Sequence, residues 1–423
     1  MNKDYSIEQR TWKKDLRLYV HVPFCAKKCD YCDFLSGPSD EESIKSYFEA
    51  LYKEIKSYEG RTHDYIVSSI FIGGGTPSCV NSEYIVRLLK ELGKVFDFVP
   101  DENREITIEV NPGTIDASKL TDYKNVGINR LSFGLQSSHE HELKLLGRIH
   151  SYSEFEENYL LAVELGFNNI NIDLMSALPG QDLKSWEETL YRIIKLNPKH
   201  ISAYSLMIEE GTPFYEKYGP DGEYKDNLPS EEIELLIYRR TKEILLQYGY
   251  ERYEISNYAK KGYECRHNMA YWEGIPYLGF GIGSVSFIEN TRFNNTNSLK
   301  EYQDAALYCH NNIMSTNMAD VDKNVLLYDF YGIRRDMISL TKSQLIEEFM
   351  IFGLRKTKGI SKSKFFSRFG VAIDEIYGDI LFRLKNEGLI IIDKDAVWLT
   401  DYGIDVSNRV LSEFLFDKSE IYS

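Results

Sequence analysis

At 423 residues, with 43% hydrophobic and 27% charged residues, the chain is long enough for one large domain plus a smaller one, each with its own core. A formal net charge of −15 argues against general affinity for nucleic acid or an anionic membrane surface, so no nucleic acid is expected as a partner. Residues 1–14 are polar and charged, without the apolar centre of a signal peptide, and no later run of about 18 apolar residues offers a transmembrane segment. A cytoplasmic location is the expectation. Of the six cysteines, Cys25, Cys29 and Cys32 are clustered, and Cys79, Cys265 and Cys309 are scattered. That is not a disulfide framework, and the scattered three read as ordinary reduced thiols.

The first element is a short apolar strand from Leu18 to Val22, stopped by Pro23 and followed by the three clustered cysteines. Thiolates at this spacing, in a loop turning tightly after a strand, converge on one small inorganic object. A zinc ion would need a fourth ligand, and His21 and Asp30 are the near candidates. A [4Fe-4S] cube on three cysteines instead keeps one iron open for a small chelating ligand, such as the amino and carboxylate groups of S-adenosylmethionine (SAM). Spacing alone leaves both readings standing.

Ser39-Asp40-Glu41-Glu42 caps an amphipathic helix reaching about Tyr58. The apolar run 65–72 then ends in Gly73-Gly74-Gly75-Thr76-Pro77, a strand with a glycine turn at its C-terminal end. The rhythm repeats with a helix near 82–95, strand 105–110, helix 116–125 and strand 129–133. Helices at 138–146 and 152–165 follow, then strand 170–174, helix 182–195 capped by Asp182, and strand 201–206. Six strands alternating with helices predict an α/β fold with parallel βα units, whose chemistry gathers at the C-terminal strand ends. Spacing permits either a doubly wound sheet or a barrel.

After about residue 208 a long helix at 230–247 precedes a glycine- and aromatic-rich stretch, 271–283, read as the closing wall of the barrel. The segment 301–342 is polar and poorly patterned. Helices at 343–355, 361–369 and 373–386, a hairpin of 389–392 and 396–399, and a last helix at 404–415 have the order of a winged-helix domain. The domain expectation is therefore an N-terminal extension 1–17, a core 18–300, a connector 301–342 and a winged-helix-like unit 343–423. With no dense basic stripe, that unit reads as a packing domain in preference to a DNA reader.

Several polar residues stand at strand ends. Glycines at 73–75 let a ligand approach the backbone, although a tight βα loop would use them too. Glu109 ends an apolar strand and needs a polar ligand or a basic partner beside it, since an unpaired buried charge is costly. Gln136, Arg148 and Asp173 occupy comparable places on later units, where amide, guanidinium and carboxylate suit the carboxylate and ribose hydroxyls of SAM. Farther on, His267 sits among aromatics in His267-Asn268-Met269-Ala270-Tyr271-Trp272, suited either to packing or to ligating the iron of a flat macrocycle. Cys265, two residues upstream, is a second soft donor.

The segment Tyr19-x-His21-x-Pro23-Phe24-Cys25, continued by Cys29-x-Tyr31-Cys32-Asp33-Phe34, resembles the opening of the radical SAM proteins related to oxygen-independent coproporphyrinogen III oxidase. Within that family it most resembles the heme-chaperone branch. The resemblance extends from about Leu18 to the C-terminal region and is weaker in the loops and around 310–345. It implies an open, partial (β/α)6 TIM-like barrel with a small winged-helix-like α+β domain, and a [4Fe-4S] cluster on Cys25, Cys29 and Cys32. It implies SAM contacts at Gly74, Gly75, Thr76, Glu109, Gln136, Arg148 and Asp173, with Tyr19 and Tyr31 beside the cluster, and Met207. His-Asn-x-x-Tyr-Trp is a motif of the chaperone branch associated with heme, implying heme contacts at His267, Asn268, Tyr271 and Trp272.

Two functions of different class follow from the resemblance. One is heme delivery to apo-hemoproteins, by family analogy at the respiratory membrane; the other is oxidative decarboxylation of coproporphyrinogen III. The oxidase carries a further cysteine where this chain has Phe34, and a longer extension than the 24 residues before Cys25, so the chaperone is the expectation. A radical SAM enzyme that modifies a tetrapyrrole is a third reading. A homodimer is compatible with the sequence.

Overall fold

The computed structural model describes residues 13–308, 325–327, 329 and 332–416. Most of the N-terminal extension, Cys309, much of the connector and the tail from 417 lie outside the described residues.

Six parallel strands form the centre: β1 (Lys14–Val22), β2 (Tyr65–Gly74), β3 (Glu105–Val110), β4 (Arg130–Gln136), β5 (Asn169–Ser176) and β6 (His200–Ser205). Each pairs with its successor in the chain. A doubly wound sheet would reverse its order about a switch point. Here the order never reverses, so right-handed crossovers place the helices on one face, and the sheet is a partial barrel. The helices are α1 (Glu41–Lys56), α2 (Ser82–Val95), α3 (Ala117–Asn125), α4 (Glu140–Leu145), α5 (Tyr152–Glu164) and α6 (Leu183–Leu196).

Local chemistry sets these boundaries. The Asp40 side chain accepts from Ser43 N at 2.8 Å to start α1, which carries Glu41 and Glu42 in its first turn and Lys53 and Lys56 in its last. The Asp182 side chain does the same for α6 with Ser185 N at 2.8 Å, and Asn197 ends that helix in a left-handed conformation. In β1 the alternate residues Leu16, Leu18 and Val20 are fully buried, which sets its face and register.

Beyond β6 come α7 (Pro213–Tyr218) and α8 (Glu231–Gln247), then β7 (Glu251–Arg252) and β8 (Asn257–Ala259), which add to the β6 edge antiparallel. Next are α9 (Arg266–Trp272), β9 (Tyr277–Phe280), β10 (Val285–Ile288) and β11 (Thr291–Asn295). The glycine-rich stretch does not close the barrel. β9 runs parallel beside β1, and β10 and β11 continue the sheet outward, leaving two edges. Gly281 and Gly283, at φ +89 and +63, make the turn that sends the chain away from the mouth. Buried Glu54 on α1 holds that turn, accepting from Gly281 N at 2.9 Å and Asn295 Nδ2 at 2.7 Å. The stretch without a sequence pattern contains α10 (Leu299–Tyr308) and the edge strand β12 (Arg334–Ser339), which pairs with β11.

The C-terminal unit has its own core, centred on Met350, Phe365, Leu381 and Val397. It contains α11 (Lys342–Leu354), β13 (Ile360–Ser361), α12 (Lys362–Phe369), α13 (Ile373–Asn386), β14 (Ile390–Ile392) and β15 (Ala396–Leu399), with the three strands ordered β13-β15-β14. The single last helix expected at 404–415 is two: α14 (Asp401–Asp405) and α15 (Ser407–Ser412). Thr400 caps the first by accepting from Gly403 N at 2.9 Å, and Gly403 packs directly on the Leu389 carbonyl. The chain therefore bends at Val406 to bury Val410 and Phe414.

Candidate cofactor site

A cavity of about 480 Å³ opens at the C-terminal ends of β1–β6, within the size range of small-molecule sites. Cys25, Cys29 and Cys32 line it, each half-buried. Their loop is pinned on several sides. Cys25 N donates to Gly37 O and Gly37 N to Pro23 O, each at 3.0 Å, Asp30 N donates to Leu146 O at 3.2 Å, and Phe214 N donates to Asp30 O at 3.0 Å. Gly75 is required for this packing, because a Cβ there would stand 2.6 Å from Phe24 O and 3.0 Å from Cys25 Sγ. A Cβ on Gly147, at φ +74, would stand 2.8 Å from Asp30 Oδ1.

Side-chain donors face two of the thiols. Thr76 Oγ1 is 3.6 Å from Cys25 Sγ, and Arg148 Nη1 is 3.6 Å from Cys29 Sγ. Such donors suit thiolates bearing negative charge. Neither candidate for a fourth zinc ligand is free. His21 Nε2 lies 2.9 Å from the Leu35 carbonyl and must donate to it, which leaves Nδ1 to accept from Tyr19 Oη at 3.0 Å. The Asp30 carboxylate pairs with Lys217 at 3.4 Å.

The far wall is polar. Glu109 accepts from Gly74 N at 3.0 Å, and burial together with the like charge of Asp173 raises its pKa to about 8. Asp173 accepts from Ser132 Oγ at 3.0 Å and Asn171 Nδ2 at 2.8 Å, and burial raises its pKa as well. Gln136 is held at φ +75, where β4 slips its register against β5. A non-glycine residue there carries strain of the kind that collects at binding sites. Arg148 donates to Asn111 Oδ1 at 2.9 Å and to the Gly134 carbonyl, while its buried Nε has no partner. Three thiols with donors against them, glycines that a Cβ would block, and an orphaned guanidinium N–H in the same cavity as two carboxylates fit a cluster with a zwitterionic, cationic nucleotide ligand.

Among the residues expected here, Tyr31, Gly74, Gly75, Thr76, Glu109, Gln136, Arg148, Asp173 and Met207 line the cavity. Tyr19 does not; its ring stacks on Phe71, which does. Sequence reasoning missed Arg130, Asn111, Asn171 and Tyr204 in the same wall. Arg130 was detectable as a guanidinium inside an apolar strand; it is 2% exposed with Nε unpartnered.

The His267 motif forms α9. Glu105 at the start of β3 caps it, accepting from Arg266 N at 3.1 Å and His267 N at 3.0 Å. Its residues part company. Asn268 lines the cofactor cavity, whereas Tyr271 and Trp272 line a second, aromatic pocket. His267 is buried between, with Nδ1 2.8 Å from Ser69 Oγ and Nε2 3.0 Å from Tyr271 Oη, and burial lowers its pKa to about 3. Iron has access to it only by displacing a hydroxyl. Cys265 is fully buried beside Glu105, its thiol pKa pushed up to about 12, which makes it a poor ligand.

A polar chain joins the start of α9 to the cavity. Cys265 N donates to Tyr253 Oη at 3.2 Å, and Tyr253 Oη donates to His200 Nε2 at 2.7 Å. His200 Nδ1 donates to Asn171 Oδ1 at 2.6 Å, and Asn171 Nδ2 reaches Asp173.

These features define a radical SAM protein, and the comparisons agree. Residues 19–193 match the radical SAM superfamily and residues 340–406 the HemN C-terminal domain. The chain is 34% identical over 397 residues to the heme chaperone HemW of Bacillus subtilis (strain 168), covering 94% of this chain and 98% of that one. It is 33% identical over 414 residues to the heme chaperone HemW of Haemophilus influenzae, covering 95% and 98%. Coproporphyrinogen III oxidase (HemN) from Escherichia coli, a radical SAM enzyme, superposes with a TM-score of 0.78 at 26% identity, covering 96% of this chain and 91% of that one. The chain belongs to the HemW family.

Proposed function

We infer that this chain is a heme chaperone that carries a [4Fe-4S] cluster on Cys25, Cys29 and Cys32 and seats SAM in the cavity at the strand ends. Gly74, Gly75 and Thr76 border the SAM amino group, Arg148 and Gln136 take its carboxylate, and Glu109 and Asp173 face its hydroxyls and positive charge. Tyr31 and Met207 flank it, and Tyr19 acts from behind Phe71. The cluster, when bound, supplies the electron that cleaves the sulfonium. Arg148 and Thr76 hold the thiolates, and the glycine turn keeps the backbone close to the ligand.

Heme, as cargo, is assigned to the α9 motif, from which it passes to an apo-hemoprotein, by analogy one at the respiratory membrane; a homodimer is compatible with this reading. One observation favours a chaperone over an oxidase. Of the four motif residues only Asn268 lines the cofactor cavity, while Tyr271 and Trp272 line a different pocket. A macrocycle on that side lies away from the reacting sulfonium.

The test is anaerobic reconstitution followed by heme titration and incubation with an apo-hemoprotein. About one heme retained per chain and then transferred unaltered is expected. Conversion of coproporphyrinogen III to a decarboxylated product at the expense of SAM would establish the enzyme instead.

A further inference from the structure

A pocket of about 260 Å³ lies at the seam between the outer sheet strands and the C-terminal unit. Its walls are aromatic: Tyr271 meets Tyr277 edge to face with ring centres 4.7 Å apart, and Tyr277 with Phe287 and Trp272 with Phe352 are tilted pairs, each at 6.2 Å. Three charged residues line it: Arg292, Glu348 and Arg368. Arg292 and Glu348 satisfy each other through a bidentate pair at 2.6 and 2.9 Å.

Arg368 is left over. It forms no hydrogen bond or ion pair among the described residues, and its guanidinium lies 5.6 Å from the rings of Phe349 and Phe369. The acid facing it, Glu348, already serves Arg292. The neighbouring Lys356 and Lys364 both turn to Glu273, at 3.3 and 4.0 Å. Space for the guanidinium is built in: Gly274, at φ +62, would put a Cβ 2.7 Å from Arg368 Nη1. Trp272 Nε1 is buried without a partner, whereas Arg368 is partly open to solvent. The pocket therefore combines a rim of edge-on and tilted rings, one cation without an acidic partner and a spare N–H.

We propose that this seam pocket receives the carboxylate-bearing edge of a flat apolar macrocycle, with Arg368 as the carboxylate's partner; the proposal rests on the reading that heme is the cargo. The volume is below that of sites that enclose a drug-sized ligand, so the pocket takes one edge of the molecule. Tyr271, which holds His267 Nε2, is part of the same wall, so a ligand edge seated here also meets the residue that covers the imidazole.

The experiment is equilibrium titration of the full-length, cluster-loaded protein with heme and with heme dimethyl ester, for the wild type, Arg368→Gln and Arg368→Lys. The wild type is expected to prefer the free acid by about ten-fold, the scale of one charge-assisted hydrogen bond. Arg368→Gln loses that preference, and Arg368→Lys keeps part of it. Because Arg368 forms no hydrogen bond or ion pair among the described residues and has only ring contacts at 5.6 Å, both variants should melt within a few degrees of the wild type. Heme binding indifferent to esterification, or a preference unchanged in Arg368→Gln, overturns the proposal alone. Absence of heme binding by the wild type overturns it together with the cargo assignment.

Discussion

Arg148 stands 3.6 Å from Cys29 Sγ while its other terminal nitrogen bonds Asn111 Oδ1 at 2.9 Å. One planar fork thus ties the cysteine loop to the end of β3. It also leaves Nε aimed at no protein acceptor.

A lysine has one point of charge and cannot span these partners. Arg148→Lys should retain three cluster thiolates, and hence near-normal iron content, but weaken SAM by about 10–100-fold, the scale of one charge-assisted hydrogen bond. Electron paramagnetic resonance of the reduced cluster with graded SAM measures this. A titration matching wild type would remove Arg148 from the SAM site.

Gly75→Ala places a methyl group 2.6 Å from Phe24 O and 3.0 Å from Cys25 Sγ. Overpacking of this kind costs about 1–3 kcal/mol, here within the loop that positions the first thiolate. Iron and sulfide per chain after reconstitution should fall well below wild type. Gly37→Ala is the control, since nothing lies within 4 Å of its Cβ position; equal cluster content in the two variants would contradict the expected crowding.

Glu109 has its pKa raised to about 8 in the ligand-free protein, so it is mostly protonated at pH 7. A cationic ligand beside it favours the ionised form, and binding then releases a proton. SAM affinity should therefore rise with pH, by up to about ten-fold per unit, and level off above pH 8. In Glu109→Gln the profile flattens. Calorimetry in buffers of different ionisation enthalpy counts the proton, and zero release by wild type would refute the assignment.

Tyr271→Phe removes the hydroxyl 3.0 Å from His267 Nε2. A neutral hydrogen bond is worth about 1 kcal/mol, so the variant should bind heme about five-fold more tightly if iron competes for that nitrogen. His267→Ala should lose the histidine-ligated absorption spectrum. If Tyr271→Phe leaves heme affinity unaltered and His267→Ala keeps the spectrum, the ligand lies elsewhere.

The cysteine loop, the βα alternation, the helix caps at Asp40 and Asp182 and the glycine turn were legible in the chain, because each depends on residues a few positions apart. Caps, turns and hydrophobic periods are local chemistry. Open-barrel topology was not determined by spacing alone; it rests on the unreversed pairing of β1–β6. The same limit explains why 271–283 read as a closing wall. Its direction depends on Glu54, more than 200 positions earlier, accepting from Gly281 N.

What the tertiary structure alone decided is the fate of neighbours in one motif. The sequence placed His267, Asn268, Tyr271 and Trp272 on a single turn-rich stretch, and no local rule divides them. Packing does: Ser69, 198 positions away, holds the imidazole, Asn268 meets the cofactor cavity, and the two aromatics share a pocket with Phe352 and Arg368 at a seam between two cores. Partners so distant in sequence are brought together only when the sheet and the C-terminal unit bury their apolar faces, which is a property of the assembled fold.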